Sequence, residues 1–252
     1  MPGTNQRFDL HNRVVVITGG GKGIGKVYAR EFARAGARVV AADIDGDAAM
    51  AVAAAIAAEG GEALGLATDI ADAAAVDGFA RAALDRFGGV DVLINNASLM
   101  SALARRSWLD IPVDEWDLRG MFLCCRAFVP AMRAKGHGKI VNISSSRVWE
   151  GTPNRLHYTT SKAGVIGFTR ALAREVGQWG ITVNAVTPGN TQSDTQVGTS
   201  SPDYLKGRIE GRAIARAQVP EDLVGAVMLL ASAASDFMTG QTINVDGGRM
   251  MH

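Results

Sequence analysis

The chain has 252 residues, with 26 Lys and Arg against 25 Asp and Glu. No net field therefore draws it to nucleic acid or to an acidic membrane surface. There is no zinc-finger spacing, no run of eighteen apolar residues and no apolar signal core between Met1 and Asn12, so the expectation is a cytoplasmic protein without nucleic-acid or membrane partners.

The length suits one domain, 1–252, that buries roughly three quarters of its unfolded surface. The first apolar run, Val14 to Thr18, feeds directly into a turn holding Gly19, Gly20, Gly21, Gly23 and Gly25, with Lys22 and Ile24 between them, and then into a helix-like segment. Glycines let the backbone turn sharply and approach a ligand with no Cβ in the way, while the helix start presents free N–H groups to an anion. Taken alone, the turn fits a pyrophosphate cradle or plain chain reversal, since the G-x-G-x-x-G spacing is not met. The next run, Ala37 to Ala42, ends on Asp43, eighteen positions after Gly25. A carboxylate there can accept from the 2′-hydroxyl of an adenosine ribose and repel a 2′-phosphate, so NAD is the expected cofactor. Lys22 argues mildly for NADP.

Further short, often β-branched runs follow at Ala63–Thr68, Val90–Asn95, Lys139–Ser144, Thr182–Val186 and Thr242–Val245, most of them separated by Ala-rich or amphipathic stretches of helical length. This alternation predicts an α/β fold: a single-domain, Rossmann-type, doubly wound parallel sheet of about seven strands with helices on both faces. Cys124 and Cys125 are adjacent within an apolar run, which reads as reduced core thiols. The stretch from Asn190 to Arg212 is polar and lacks periodicity, and reads as a substrate lid above the carboxyl ends of the strands or as a loose surface loop.

The chemistry is concentrated in the third quarter. Tyr158 and Lys162 are four apart at the start of an amphipathic helix, so both side chains leave one face. At ~4 Å and an effective dielectric of ~20, the ammonium would favour the phenolate by ~4 kcal/mol, or ~3 pKa units, before desolvation. That brings the phenol toward neutrality, where a general acid/base works best. Ser145, thirteen residues earlier at a strand end, is placed to bond the same substrate oxygen.

Together these residues resemble the classical short-chain dehydrogenase/reductase family, through Thr18-Gly-x-x-x-Gly-x-Gly25, Asp69-Ile70, Asn95-Asn96-Ala97, Ser145, Tyr158-x-x-x-Lys162, Pro188-Gly189 and Gly240-Gln241-x-x-x-Val245-Asp246-Gly247-Gly248. The resemblance implies that Asp69 and Ile70 flank the adenine, that Asn96 and Ala97 line the cofactor cleft, and that Pro188, Gly189 and Thr191 meet the nicotinamide end. It further implies catalysis by Ser145, Tyr158 and Lys162, with Lys162 also holding the nicotinamide ribose, and a homotetramer. The expected activity is NAD-dependent hydride transfer between the nicotinamide and a secondary alcohol or ketone, small and apolar or aromatic. A catalytically impaired dinucleotide-binding homologue and a 3-oxoacyl-thioester reductase are the alternatives.

Two departures stand out. Ser98 replaces the family's usual glycine after Asn95-Asn96-Ala97. After Trp116-Asp117 the chain runs straight into Leu118, without the half-dozen residues ending in a catalytic asparagine that the family usually carries there. Removing about six residues from a helix turns everything upstream by about 240°, so a rebuilt or disordered segment is expected between Leu99 and Leu118. The four histidines, His11, His137, His157 and His252, show no metal-ligand spacing and read as surface or loop residues, except that His157, next to Tyr158, reads as a packed neighbour or a substrate contact; no metal is expected.

Overall fold

The computed structural model describes residues 7–98, 107, 118–196 and 201–251. Strands and helices alternate in the order β1 (Val14–Thr18), α1 (Gly23–Arg34), β2 (Arg38–Asp43), α2 (Gly46–Ala58), β3 (Ala63–Ala67), α3 (Ala73–Phe87) and β4 (Val92–Asn95). They continue as α4 (Arg119–Lys135), β5 (Gly138–Ile143), the short α5 (Arg147–Glu150), α6 (Leu156–Val176), β6 (Ile181–Pro188), α7 (Pro202–Glu210), α8 (Glu221–Ala231) and β7 (Thr242–Val245). All seven strands expected from the hydrophobic runs are present, shifted by no more than two residues at either end.

The strands form one parallel sheet in the order β3-β2-β1-β4-β5-β6-β7. Alternate residues of β1 divide between its faces. Val14 and Val16 pack with Phe79, Cys124, Phe128 and Val165 from α3, α4 and α6; Val15 and Ile17 pack with Tyr28, Phe32, Val52 and Leu223 from α1, α2 and α8. Both faces are covered, which is why the strands read as nearly continuous apolar runs. Cys124 and Cys125 are buried free thiols, and burial pushes both up to about 12. Among the described residues no helix is long and apolar enough to cross a membrane.

Helix ends follow local chemistry. The Asp45 carboxylate accepts from the Ala48 N–H at 3.0 Å to start α2, Asp72 accepts from Ala74 at 2.8 Å to start α3, and Gly88 ends α3 in the left-handed region. At the amino ends of the strands the buried Asp91 carboxylate accepts from the Val14 N–H at 2.8 Å, from Arg13 at 3.2 Å and from Lys135.

His157 is packed beside Tyr158: it lies in the first turn of α6 with no exposed area. One expectation is corrected: the stretch 190–212 is not uniformly irregular. It contains the nine-residue α7, which Ser201 caps by accepting from the Tyr204 N–H at 3.3 Å and Pro202 opens. The rebuilt segment expected between Leu99 and Leu118 lies outside the described residues except for Ser107 and Leu118, and so does His252.

Candidate active site

Strand order reverses direction between β1 and β4, and the carboxyl ends of the strands at such a switch are where open α/β sheets form their ligand crevice. Its floor is tied by Thr18. The hydroxyl accepts from the Asn96 and Ala97 N–H groups, each at 3.1 Å, and the Asn96 amide donates to the carbonyls of Thr18 at 3.0 Å and Gly19 at 3.1 Å. These bonds hold Asn96 and Ala97 against the glycine turn.

The turn has no room for side chains. A Cβ on Gly25 would lie 1.9 Å from the Gly19 carbonyl oxygen and 2.6 Å from the Asn96 amide nitrogen. Gly19 adopts φ +64°, and a Cβ there would meet the Ala97 Cα at 2.9 Å. The first turn of α1 already holds an anion: the Asp194 carboxylate accepts from the Gly23 N–H at 2.8 Å and from the Lys26 ammonium at 2.8 Å. Its pKa is held below the usual carboxylate range by the Lys26 bond above all, against some burial. The donor set thus fits a pyrophosphate, with Asp194 as its stand-in.

At the end of β2 the Asp43 carboxylate accepts from Gly21 N–H at 3.0 Å and Asp45 N–H at 3.1 Å, which places it beside the turn. Lys22 is engaged by Asp45 at 2.5 Å. Past β3, Asp69 accepts from Ala71 N–H at 2.9 Å. Ile70 packs on α4, where a Cβ on Gly120 would lie 2.6 Å from the Ile70 Cδ1. Pro188 ends β6, Gly189 donates to the Val245 carbonyl at 3.0 Å, and the Thr191 hydroxyl turns back to the Gly189 carbonyl at 3.2 Å.

Ser145, Tyr158 and Lys162 converge beyond the end of β5. Ser144 donates its hydroxyl to the Lys162 carbonyl at 2.7 Å, which pins α6 to the strand, and the Ser145 hydroxyl accepts from the Arg147 N–H at 3.3 Å. The Lys162 ammonium lies 6.0 Å from the centre of the Tyr158 ring and donates to the Ile143 carbonyl at 2.9 Å. Burial pushes Lys162 down to about 8.

The phenol departs from expectation. Burial raises the Tyr158 pKa above its ordinary value, opposed by the Ser145 hydrogen bond and by the charges of Arg147 and Arg155. The shift is opposite to the one the four-residue spacing predicts, because Tyr158 is only 5% exposed and the Lys162 ammonium is committed to a carbonyl.

Sequence reasoning missed two groups. Ser193 and Thr195 close over the glycine turn, where a Cβ on Gly23 would lie 3.2 Å from the Thr195 hydroxyl and 3.6 Å from that of Ser193; the only signal was a polar run shortly after Pro188-Gly189. The other is a group of arginines around Glu150, drawn from α5, α7 and the tail, and no local pattern announces it. Among the described residues no cluster of three metal-ligating side chains occurs.

A crevice at a strand-order switch, lined by a glycine turn with an acidic residue at the end of β2, defines a dinucleotide-binding oxidoreductase. Residues 19–250 match a family model described as enoyl-(acyl carrier protein) reductase. The chain is 39% identical over 250 residues to the (2S)-[(R)-hydroxy(phenyl)methyl]succinyl-CoA dehydrogenase subunit of Thauera aromatica, covering 96% of this chain and 98% of that one. It is 37% identical over 249 residues to a 3-oxoacyl-[acyl-carrier-protein] reductase of Synechocystis, with coverage of 96% and 98%. A solved 7 alpha-hydroxysteroid dehydrogenase, complexed with NADH and 7-oxo glycochenodeoxycholic acid, superposes with a TM-score of 0.92 at 29% identity, covering 100% of both chains. The chain belongs to the short-chain dehydrogenase/reductase family.

Proposed function

We propose that this protein is an NAD-dependent oxidoreductase interconverting a secondary alcohol and a ketone on a small apolar or aromatic substrate. The observation that carries it is the buried Tyr158 phenol, hydrogen-bonded to Ser145 with the Lys162 ammonium beside its ring. In the oxidising direction Tyr158 takes the proton from the substrate hydroxyl and Ser145 holds that oxygen by a hydrogen bond. In the reducing direction Tyr158 returns the proton to the carbonyl oxygen. The Ser145 hydrogen bond and the charges of Arg147 and Arg155 favour the deprotonated Tyr158 against its burial, and Lys162 would hold the nicotinamide ribose. The nicotinamide, when bound, accepts or gives the hydride.

Gly19, Gly23, Ile24 and Gly25 would hold the pyrophosphate, Asp43 the adenosine ribose, Asp69 and Ile70 the adenine, and Asn96, Ala97, Pro188, Gly189 and Thr191 the nicotinamide half. Preference for NAD is supported by the Asp43 carboxylate beside the turn and by Lys22, whose charge is already matched by Asp45. NADH bound to the steroid dehydrogenase relative supports the same choice. The stretch 190–212, with α7 inside it, is the proposed substrate lid. A homotetramer is supported by exposed apolar side chains such as Phe122 on α4 and Leu156 on α6.

A second reading, a dinucleotide-binding homologue without turnover, is favoured by the missing asparagine and by the Lys162 bond to the Ile143 carbonyl. Nicotinamide absorbance followed with purified protein, NAD or NADP and a panel of secondary alcohols separates the two. Turnover that is lost in Tyr158→Phe supports the enzyme; cofactor binding without turnover across the panel supports the second reading.

A further inference from the structure

Resting on the oxidoreductase reading above, we infer that the alcohol or ketone substrate carries a carboxylate, received by the buried guanidinium of Arg147 with Arg208 closing on it from α7. Arg147 is two residues from Ser145 and only 4% exposed. Its fork meets hydroxyls alone: Thr152 at 3.3 Å and Tyr204 at 2.6 Å. Among the described residues no carboxylate pairs with it. A buried cation without a counterion is costly, and sites that contain one are completed by an anion.

The surrounding charges do not supply that anion. Glu150, a half-buried carboxylate, binds Arg208 at 2.8 Å and Arg249 at 2.7 Å; it also accepts from the Thr152 hydroxyl at 3.2 Å, so it reaches Arg147 only through that hydroxyl. Asp246 is capped by the N–H groups of Gly248, Arg249 and Met250. Arg212 gives its terminal nitrogens to the carbonyls of Arg216 and Asn190. Four guanidiniums, Arg147, Arg208, Arg212 and Arg249, thus face two carboxylates. Moreover, the Nε and Nη2 of Arg208 and the Nε of Arg212 are buried with no acceptor.

Position selects the ligand. Tyr204 bridges the group: its hydroxyl accepts from Arg147 and its ring lies 5.9 Å from the Arg208 guanidinium. The charge of Arg147 also acts directly on the Tyr158 phenol. Arg147 also donates its backbone N–H to the Ser145 hydroxyl at 3.3 Å, so an anion bound to its guanidinium lies on the Ser145 side of the site, which suits a small hydroxy or oxo acid. A planar guanidinium fork matches a planar carboxylate.

The test compares 3-hydroxy-3-phenylpropanoate with its primary amide as substrates of the NAD-loaded protein. The acid is expected to show a kcat/KM about tenfold or more above the amide. In Arg147→Gln that ratio falls toward one, with the loss carried by KM, and Arg147→Lys restores part of it. Equal kcat/KM for acid and amide in the natural protein overturns the inference. So does an equal fall for both in Arg147→Gln, which would make Arg147 a support of Tyr158 alone. If neither compound turns over while NADH still binds, the redox reading fails separately. The anion site is then judged by calorimetry of phenylacetate against phenylacetamide on the NADH-loaded natural protein, where tighter binding of the anion supports it and equal binding refutes it. That measurement also decides the matter if the variants do not fold.

Discussion

The Asp194 carboxylate accepts the Gly23 N–H at 2.8 Å while also pairing with Lys26 at 2.8 Å, so a residue from the loop after β6 occupies the anion seat at the start of α1. A bound pyrophosphate needs the same positive end of the helix. Asp194→Ala should therefore tighten NAD, lowering the Kd about two- to fivefold, the scale of an anion at a helix N-terminus. Calorimetric titration of both proteins with NAD measures it. An unchanged or higher Kd would show that Asp194 keeps its contact beside the cofactor.

Gly25 tests the turn itself. Its Cβ would collide with the Gly19 carbonyl at 1.9 Å, a backbone obstacle that no rotamer change relieves. Gly25→Ala should lose about 3 kcal/mol or more of stability, or all NAD binding if it folds. Urea denaturation with and without NAD reads both quantities.

Asp43 should set cofactor choice. Because it also accepts from Gly21 and Asp45, Asp43→Ser loosens the turn for either nucleotide, and the informative quantity is a ratio. The kcat/KM for NAD over that for NADP should fall about tenfold or more when the charge that repels a 2′-phosphate is removed. A ratio that stays the same would assign the preference elsewhere.

Lys162 should leave a signature in stability against pH. Burial lowers its pKa to about 8 from an ordinary 10.5. Between those values the unfolded chain binds more protons than the folded one, so this group makes stability rise with pH from about 8 to 10.5, and below about 8 its penalty is constant. Lys162→Met removes the penalty. The gap between the two proteins in urea midpoint should narrow steadily from pH 8 to pH 10; a gap that is flat across that range would contradict the burial of the ammonium.

Most of the fold was legible because parallel strands covered on both faces must be apolar throughout. Val14–Thr18 and Arg38–Asp43 announce themselves without any knowledge of their neighbours. The glycine turn was legible for a similar reason, since a position such as Gly25 tolerates nothing larger. Tyr158, Lys162 and Ser145 were legible as a constellation, but their electrostatics were not: spacing along a helix gives proximity, while the Ile143 carbonyl that takes the ammonium and the burial that raises the phenol come from the sheet beneath. Asp194 over Gly23, 171 residues apart, and the Glu150–Arg249 pair, 99 apart, depend wholly on tertiary approach. Local pattern carries no signal for such pairs.

The most direct test of the central claim is the pH profile of kcat/KM for alcohol oxidation at saturating NAD, measured for the natural protein and for Tyr158→Phe. If Tyr158 is the group that takes the proton, the natural protein loses activity with falling pH through a single ionisation, and Tyr158→Phe falls by about 10²- to 10⁴-fold and loses that ionisation. Retention of activity within about tenfold, with the same pH dependence, would contradict a proton-transfer role for Tyr158.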